Sequence, residues 1–351
     1  MDLNATLERI RPVDPVWIER ARARQLELTK PPGSLGRLEE IANRLTAIQE
    51  TLAPSADRAR LVLFAGDHGV CAEGVNPFPQ AVTAQMVANF LRGGAAMNAL
   101  AGVAGLELRI VDAGVASLIP DIPGLIRRPI ARGTANFCEA PAMMEQQARA
   151  SLELGIEMAW TAEPLHLLAA GEMGIGNTTP ASALTAALTG LPAVSVLGRG
   201  TGADEACMAR KLSAIERALA LHTRHIRTPL DLLARLGGFE IGAMCGLFLG
   251  AAARRTAALV DGFIATAAAA LAVRFCPAVR DYLIPAHRST EPGQAPLLEL
   301  IGHRPLLDLE MRLGEGTGAA LAVPVVRAAV AAFIGMATFA SAGVAAAQEA
   351  S

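Results

Sequence analysis

Short runs of apolar residues that end in glycine, acidic or small polar residues recur through the middle of the chain. Five of these runs predict buried strands that lead into loops, at residues 60–69, 107–116, 164–174, 193–202 and 258–263. Helical patterns lie between them, at residues 79–92, 141–160, 178–189, 203–221 and 240–255. The alternation predicts an α/β protein of three layers, in which helices cover both faces of a Rossmann-like parallel sheet.

The two ends of the chain lack convincing strand patterns. Residues 1–50 and 290–351 are mainly helical in pattern. We therefore expect both ends to pack together as a smaller helical domain beside an α/β domain over residues 51–289, which carries the substrate loops.

Composition and charge indicate which kind of molecule the protein binds. Hydrophobic residues make up 52% of the 351 residues and aromatic residues only 4%, so the chain offers no stacking platform for bases. The net charge of -2 is spread along the chain, which disfavours nucleic acid and anionic membranes. We expect a small-molecule partner.

The cysteines and the apolar segments indicate in which compartment of the cell the protein is found. Five cysteines, an odd number without a C-x-x-C spacing, favour a reducing cytoplasm. The amino terminus lacks the apolar run of a signal peptide. Residues 328–347 are uncharged for 20 residues, but their many alanines favour a buried or interface helix over a membrane span.

Polar residues cluster where the predicted strands end. Ligands of an open parallel sheet bind beyond the carboxyl ends of its strands, so these loops hold the candidate chemistry. The residues concerned are Asp67, His68, Asp112, Glu172, Asn177, Arg199 and Asp261.

The segment GEMGIGNTTP, residues 171–180, follows a predicted strand and opens a helix. Its glycines would let backbone N–H groups approach an anion at the helix N-terminus, and Asn177 and Thr178 add donors. The glycine order is the reverse of the dinucleotide-binding fingerprint, which disfavours a Rossmann dehydrogenase. A tight turn that simply requires glycine explains such a loop about as well, whereas Glu172 favours a ligand site.

The segment LGRGTG, residues 197–202, repeats this arrangement, and Lys211 follows in the next predicted helix. Two glycine-rich turns and a lysine form a more specific phosphate site than either turn alone. A solvated helix face is the alternative interpretation of Lys211. The chain contains no G-K-[ST] sequence, so ATP hydrolysis has no support.

The sequence gives weaker support to metal-dependent chemistry and to catalysis by a serine nucleophile. Asp67 and His68 lie far in sequence from His287 and Glu291, so a metal site with three or four ligands is disfavoured, and no metal or cofactor is predicted. No G-x-S-x-G elbow marks a serine nucleophile.

Near the carboxyl end, LGEGTG at residues 313–318 places Glu315 between two glycines. An acidic residue in a first helical turn is ordinary, because it interacts favourably with the helix dipole. The functional alternative is a general base, with glycines that give a ligand access and apolar neighbours that raise the pKa of the carboxyl.

Nine segments, in register over nearly the whole chain, resemble the family of nicotinate-nucleotide:dimethylbenzimidazole phosphoribosyltransferases, which activate the lower ligand of cobalamin. They are KPPGSLGRLEEIA (30–42), AGDHGV (65–70), VTAQMVANFLRGGAA (82–96), GEMGIGNTT (171–179), GRGTG (198–202), IGAMCG (241–246), DGFIATAAAAL (261–271), AHRSTEPG (286–293) and MRLGEGTGAALA (311–322).

The resemblance implies the fold described above, a homodimer with its active site near the subunit interface, and a transfer reaction. The 5-phosphoribosyl group would move from nicotinate mononucleotide to 5,6-dimethylbenzimidazole, giving α-ribazole phosphate and nicotinate. The pyridinium leaving group becomes neutral as its bond breaks, so the reaction needs no metal. A non-catalytic nucleotide-binding sensor of the same fold is the alternative.

The resemblance also implies residue roles. Glu315 matches the catalytic base. The base pocket would contain Phe78, Gln85 and Met86, which leave the preferred acceptor open. The ribose phosphate would be bound by Glu172, Gly174, Gly176, Asn177, Thr178, Gly200, Gly202, Lys211, Ser289, Glu291 and Gly293.

Overall fold

A computed structural model describes residues 2–160, 162–200 and 202–345. Its main sheet has six parallel strands in the order β3-β2-β1-β4-β5-β6. The strands are β1 (Ala59–Gly66), β2 (Glu107–Gly114), β3 (Leu125–Arg127), β4 (Leu167–Met173), β5 (Ala257–Val260) and β6 (Leu283–Pro285). The predicted three-layer α/β class is confirmed.

Helices cover the sheet and form the chain ends. They are α1 (Leu3–Leu7), α2 (Pro15–Glu27), α3 (Arg37–Gln49), α4 (Val82–Leu91), α5 (Ala96–Ala104), α6 (Glu145–Ala159), α7 (Thr178–Thr189), α8 (Ala193–Val196), α9 (Glu205–His222), α10 (Pro229–Leu236), α11 (Phe239–Ala253), α12 (Phe263–Phe275), α13 (Gln294–Ile301), α14 (Thr317–Gly335) and α15 (Phe339–Ala342).

The strand order reverses direction between β1 and β4, which is the switch point of a doubly wound sheet. The apolar run Leu61–Ala65 of β1 is fully buried, because helices cover both faces of this central strand. The carboxyl ends of β1 and β4 therefore diverge into separate loops and leave a crevice between them, where an α/β protein binds its ligand.

The prediction of a strand at residues 193–202 is wrong. Residues 193–196 form the short helix α8, and the described residues that follow are a loop. The N–H and the hydroxyl of Ser195 both bond to the carbonyl oxygen of Pro192, at 3.0 and 2.8 Å, which closes the backbone into a turn. The apolar residues Ala193 and Val196 are still buried, so the run indicated burial but not extension.

The two ends of the chain are in contact, although their division from the rest as a separate domain stays a prediction. The N–H of Thr29 bonds to the carbonyl oxygen of Ala337 at 3.0 Å, and Ala42 and Phe333 belong to a small separate apolar cluster. The carboxyl-terminal part is not purely helical. A two-residue strand β8 (Leu307–Asp308) pairs in parallel with β7 (His287–Arg288).

Helix α14 is the one helix of the described residues that is long and apolar enough to cross a membrane by composition. Half of its apolar window is buried inside the protein, as in the core helix of a globular domain. The uncharged segment predicted from residue 328 does not continue as one helix, since α14 ends at Gly335 and residues 346 and 347 lie outside the described part.

Helices α6 and α11 approach so closely that only glycine fits at their contact. A β-carbon at Gly155 would lie 1.8 Å from the carbonyl oxygen of Ala243, and one at Gly246 would lie 1.9 Å from that of Leu152. The backbones themselves are in contact, so neither partner can move aside alone.

This contact predicts opposite effects for two helical glycine substitutions. Gly155→Ala should lower the free energy of unfolding by about 1–3 kcal/mol or more, because the helices must separate. Gly102→Ala, in the exposed interior of α5 with no atom within 4 Å of the new β-carbon, should raise it by up to about 1 kcal/mol. Urea denaturation measures both. Equal effects of the two substitutions would contradict the packing described.

Candidate active site

A cavity of about 310 Å³ opens beyond the carboxyl end of the sheet. It lies beside the loop after β4, the start of α12 and the turn before α14. Ten of the predicted site residues line it: Phe78, Met86, Glu172, Gly174, Asn177, Thr178, Gly200, Ser289, Glu291 and Glu315. Sequence segments up to 239 residues apart, from Asn76 to Glu315, therefore contribute to one site.

The other predicted site residues are outside this lining. Gln85 is exposed on α4, and Gly202 is also exposed. A β-carbon at Gly176 would lie 2.6 Å from the sulfur of Cys71, and one at Gly293 would lie 2.5 Å from the ring of Phe263, so these two glycines allow close packing behind the cavity. The fifth, Lys211, is buried directly behind the glycine loop.

Glu315 lies in a turn of unusual backbone conformation. Gly314, Glu315 and Gly316 have φ angles of 81°, 61° and 82°, so three consecutive residues are left-handed. A left-handed non-glycine residue costs on the order of 1–2 kcal/mol, and such residues concentrate at functional sites. The turn brings the Glu315 backbone against β4, where a β-carbon on Gly171 would lie 2.6 Å from the carbonyl oxygen of Glu315.

The environment of the Glu315 carboxyl suits a base. Glu315 is 7% exposed, and its Oε2 atom has no hydrogen-bond partner among the described residues. Burial, together with the nearby charge of Asp261, raises the pKa of the Glu315 carboxyl from 4.5 to about 7. A general base acts best when its pKa lies near the working pH, so Glu315 can accept a proton from a ligand in the cavity.

Glu172 supports the turn from the β4 side. Its Oε1 atom accepts a hydrogen bond from the N–H of Glu315 at 3.4 Å, and its Oε2 atom accepts one from the amide of Asn177. Burial raises the pKa of the Glu172 carboxyl well above its usual range, and the charges of Asp261 and Glu240 add to the effect. Glu172 thus links the loop after β4 to the turn before α14.

On another side of the cavity lies a glycine loop supported by a buried lysine. The Nζ atom of Lys211 donates to the hydroxyl of Thr178 at 2.7 Å and to the carbonyl oxygen of Gly198 at 3.0 Å. Lys211 is 1% exposed, which excludes the solvated helix face. Burial lowers the pKa of the Lys211 ammonium to about 8, although the charge of Glu291 opposes the shift. An anion at this loop would stabilise the charged form.

Helix α9 positions Lys211 through ordinary capping. The side chain of Asp204 accepts a hydrogen bond from the N–H of Cys207 at 2.7 Å and so begins the helix. Lys211 is then one helical turn beyond Cys207 on the same buried face. Glu291 completes this wall, since its Oε1 atom accepts from the N–H of Gly200 at 2.8 Å while its Oε2 atom has no partner among the described residues.

Part of the cavity lining is apolar. Phe78, Val82 and Met86 line it, and Leu313 and Ile264 face the same cavity. Phe78 is 49% exposed and Leu313 is 55% exposed, so the apolar surface continues to the cavity mouth. One side of the cavity therefore suits a flat apolar ring, and the other suits an anion.

Three further residues lie at or behind the cavity, although none of them was assigned a role in substrate binding or catalysis from the sequence. Arg312 and His287 line the cavity, and Asp261 is buried behind the Glu315 turn. The position of Asp261 directly after a predicted strand was the available signal for it. Arg312 had no such signal, because an exposed arginine beside a turn is common.

The residues Asp67 and His68 have local structural partners. Asp67 accepts from the hydroxyl of Thr83 at 2.6 Å and from the N–H of Ala116 at 2.8 Å. His68 contacts Glu240 at 2.8 Å, and both side chains are buried. Among residues 2–160, 162–200 and 202–345, no group of three His, Cys, Asp or Glu side chains has the arrangement of a metal site.

The fold and the cavity together define an α/β enzyme of the doubly wound class, whose cavity is lined by a glycine loop and a buried carboxylate. Comparison with known proteins gives the particular family. A family model described as Phosphoribosyltransferase matches residues 10–344, and this chain belongs to that family.

The relatives found cover nearly the whole chain. A nicotinate-nucleotide–dimethylbenzimidazole phosphoribosyltransferase of Geobacter sulfurreducens is 50% identical over 98% of both chains. The protein of the same name from Chloroflexus aggregans is 50% identical over 99% of both. A crystal structure of CobT from Thermus thermophilus is 49% identical, with a TM-score of 0.91 over 95% of this chain and 100% of that chain.

The raised pKa of Glu315 predicts a pH-dependent effect on stability. Because the native pKa lies above the ordinary 4.5, this group stabilises the fold fully below about pH 4.5, and that contribution is lost as the pH rises through about 7. Glu315→Gln lacks this pH dependence. As the pH rises from 5 to 8, the unfolding free energy of the variant should therefore rise by up to about 3 kcal/mol relative to that of the unsubstituted protein.

Urea denaturation of both proteins at the two pH values measures this difference. Glu310→Gln is the matched control, because Glu310 is exposed and also has a positive φ of 56°. We expect no comparable pH dependence from the control. A pH-independent difference for Glu315→Gln would contradict the raised pKa.

Proposed function

We propose that this protein transfers the 5-phosphoribosyl group from nicotinate mononucleotide to 5,6-dimethylbenzimidazole, with release of nicotinate and α-ribazole 5'-phosphate, in the assembly of the cobalamin nucleotide loop. The family membership and the names of relatives about 50% identical over full length support this reaction. The observation that carries it is Glu315, a buried carboxylate with an unpartnered oxygen, as far as the described residues show, between an apolar wall and an anion loop.

The donor side of the proposal rests on the glycine loop. The phosphate of nicotinate mononucleotide would lie against Gly200 and Thr178, with the ammonium of Lys211 behind them. The hydrogen bonds of this buried cation in the described residues go to the neutral oxygens of Thr178 and Gly198, and the nearby Glu291 carboxylate does not bond to it directly, so a phosphate at the loop would add a favourable charge. Ser289 and Glu291 would bind the ribose hydroxyls from the same side of the cavity.

The chemistry needs one base. The carbon–nitrogen bond between ribose and the pyridinium ring breaks, and its electron pair neutralises the ring nitrogen, so nicotinate leaves without a proton. One nitrogen of the benzimidazole attacks the anomeric carbon from the opposite face, and the configuration inverts. The other nitrogen must then lose its proton, and we assign the acceptance of this proton to Glu315, which lines the cavity.

The acceptor side rests on the apolar wall. Phe78 and Met86 line it, and a benzimidazole ring would bury its flat faces there, whereas Gln85 points to solvent. The apolar residues at the mouth also support the proposal of a homodimer, because Phe78 and Leu313 would be covered by a second copy. Five free cysteines support a cytoplasmic location.

The direct test mixes the purified protein with nicotinate mononucleotide and dimethylbenzimidazole. We expect α-ribazole phosphate and free nicotinate in equal amounts by liquid chromatography. The absence of product with dimethylbenzimidazole and with other benzimidazoles would overturn the proposal.

The donor site predicts the effect of Lys211→Ala. Loss of the charged donor should raise the donor KM by about 10- to 100-fold, because a hydrogen bond to a charged group contributes about 1.5–3 kcal/mol. The neighbouring Arg210 is the matched control, since it is exposed and its guanidinium donates to the carbonyl oxygen of Gly74. Steady-state kinetics measure both variants. An unchanged donor KM for Lys211→Ala would remove Lys211 from the donor site.

A further inference from the structure

Asp261 follows strand β5 and is buried behind the turn that carries Glu315. It is 2% exposed and is not part of the cavity lining. Its Oδ2 atom accepts a hydrogen bond from the N–H of Gly316 at 3.0 Å, and its Oδ1 atom accepts one from the N–H of Ala319 at 2.9 Å. One carboxylate therefore spans the end of the turn and the first turn of α14.

These two bonds act at the point where the backbone is strained. Gly314, Glu315 and Gly316 are all left-handed, and a β-carbon at Gly316 would lie 2.5 Å from the side chain of Leu61. A side chain at Gly316 would displace the Leu61 side chain and would be strained at the φ of 82°, and Glu315 itself occupies an unfavourable region. The surrounding structure must hold such a conformation.

The turn is closed locally by Thr317, whose N–H and hydroxyl donate to the carbonyl oxygen of Gly314 at 3.0 and 2.7 Å, and carboxylates at the ends of two strands hold it from outside. Glu172 accepts a long hydrogen bond from the N–H of Glu315, at 3.4 Å. The two bonds that Asp261 accepts from the backbone are shorter, at 3.0 and 2.9 Å. A negative charge at the N-terminus of the 19-residue helix α14 is also favourable, because it faces the positive end of the helix dipole. Asp261 therefore supplies the stronger restraint.

His287 closes the remaining side of Asp261. Its Nε2 atom lies 3.7 Å from Oδ1 of Asp261 and has no hydrogen-bond partner among the described residues. The ring fits there because Gly318 has no side chain, since a β-carbon at that position would lie 1.9 Å from the ring. The carboxylate is thus in contact with the backbone of α14 on one side and with an imidazole on another.

We propose that Asp261 is a positioning residue for the transfer reaction, whose carboxylate holds the left-handed turn so that the Glu315 carboxylate faces the acceptor. The proposal rests on the proposed function, since it assigns Asp261 a role only through Glu315. The two carboxylates then have different roles. Glu315 accepts the proton, and Asp261 fixes the position of the Glu315 carboxylate.

Asp261→Asn tests the role with little change in volume. An asparagine offers one acceptor oxygen, so it can accept one of the two N–H groups and must turn its own N–H₂ toward the other. The turn should loosen, and kcat should fall by about 10- to 100-fold, as expected when a reacting group is displaced. The donor KM should change by less than about threefold, because the phosphate loop is untouched.

A double-mutant cycle with Glu315→Gln distinguishes positioning from a general structural effect. If Asp261 acts through Glu315, Asp261→Asn should lower kcat by less than about threefold in the Glu315→Gln protein, while it lowers kcat by the full factor in the parent. Equal losses in both proteins would overturn the proposal. So would an increased donor KM with unchanged kcat.

Asp112→Asn is the matched control. Asp112 lies within β2, is 7% exposed and likewise accepts two backbone N–H groups, from Gly114 at 3.1 Å and Val115 at 2.9 Å. We expect it to lower the unfolding free energy without changing kcat. A protein that forms no product at all overturns the proposed function and the role of Asp261 together, whereas an active protein with additive variants overturns the role of Asp261 alone.

Discussion

The burial of several carboxylates at one edge of the sheet is the constraint on which the site depends. Glu172, Asp261 and Glu315 are each less than a tenth exposed, and no arginine or lysine forms an ion pair with any of them in the described parts of the chain. Burial raises the pKa values of all three carboxyls, and the nearby charge of Asp261 adds to the effect on Glu172 and Glu315. What distinguishes the three is how each is hydrogen-bonded. Asp261 accepts backbone N–H groups through both oxygens, while Glu315 keeps one oxygen free of the described residues and open to a ligand.

This division explains why glycines surround the site. The carboxylates can approach one another only where backbone replaces side chain, as at Gly171 and Gly314, whose absent β-carbons would lie 2.6 Å from the Glu315 carbonyl oxygen and 2.2 Å from Glu172. Close packing of the same kind brings the buried Lys211 behind the anion loop, near Gly200. A donor whose leaving group departs as a neutral ring requires no acid, so one free carboxylate and one buried cation are enough for the proposed reaction.

The sequence pattern predicted the central strands because each contains an apolar run that is buried in the sheet. It did not predict β3 (Leu125–Arg127) or β6 (Leu283–Pro285), which are three residues long and too short to show a period. The strand expected after Pro192 was wrong because local hydrogen bonds to that proline form a turn. Glu315 and Glu172 could be selected from their glycine-rich segments. Asp261 and Arg312 could not be assigned roles, because the order of strands in the sheet decides which loops meet, and that order depends on tertiary packing.

The central claim is that Glu315 is the base, with its pKa raised to about 7 by burial and by Asp261. The most direct measurement is the pH dependence of kcat/KM for α-ribazole phosphate formation, in the parent protein and in Glu315→Gln. We expect kcat/KM of the parent to fall about tenfold for each pH unit below about pH 7. Glu315→Gln should lack this dependence, and its rate should be lower by about 10²- to 10⁴-fold. Full activity in Glu315→Gln, or the same pH dependence in both proteins, would contradict the central claim.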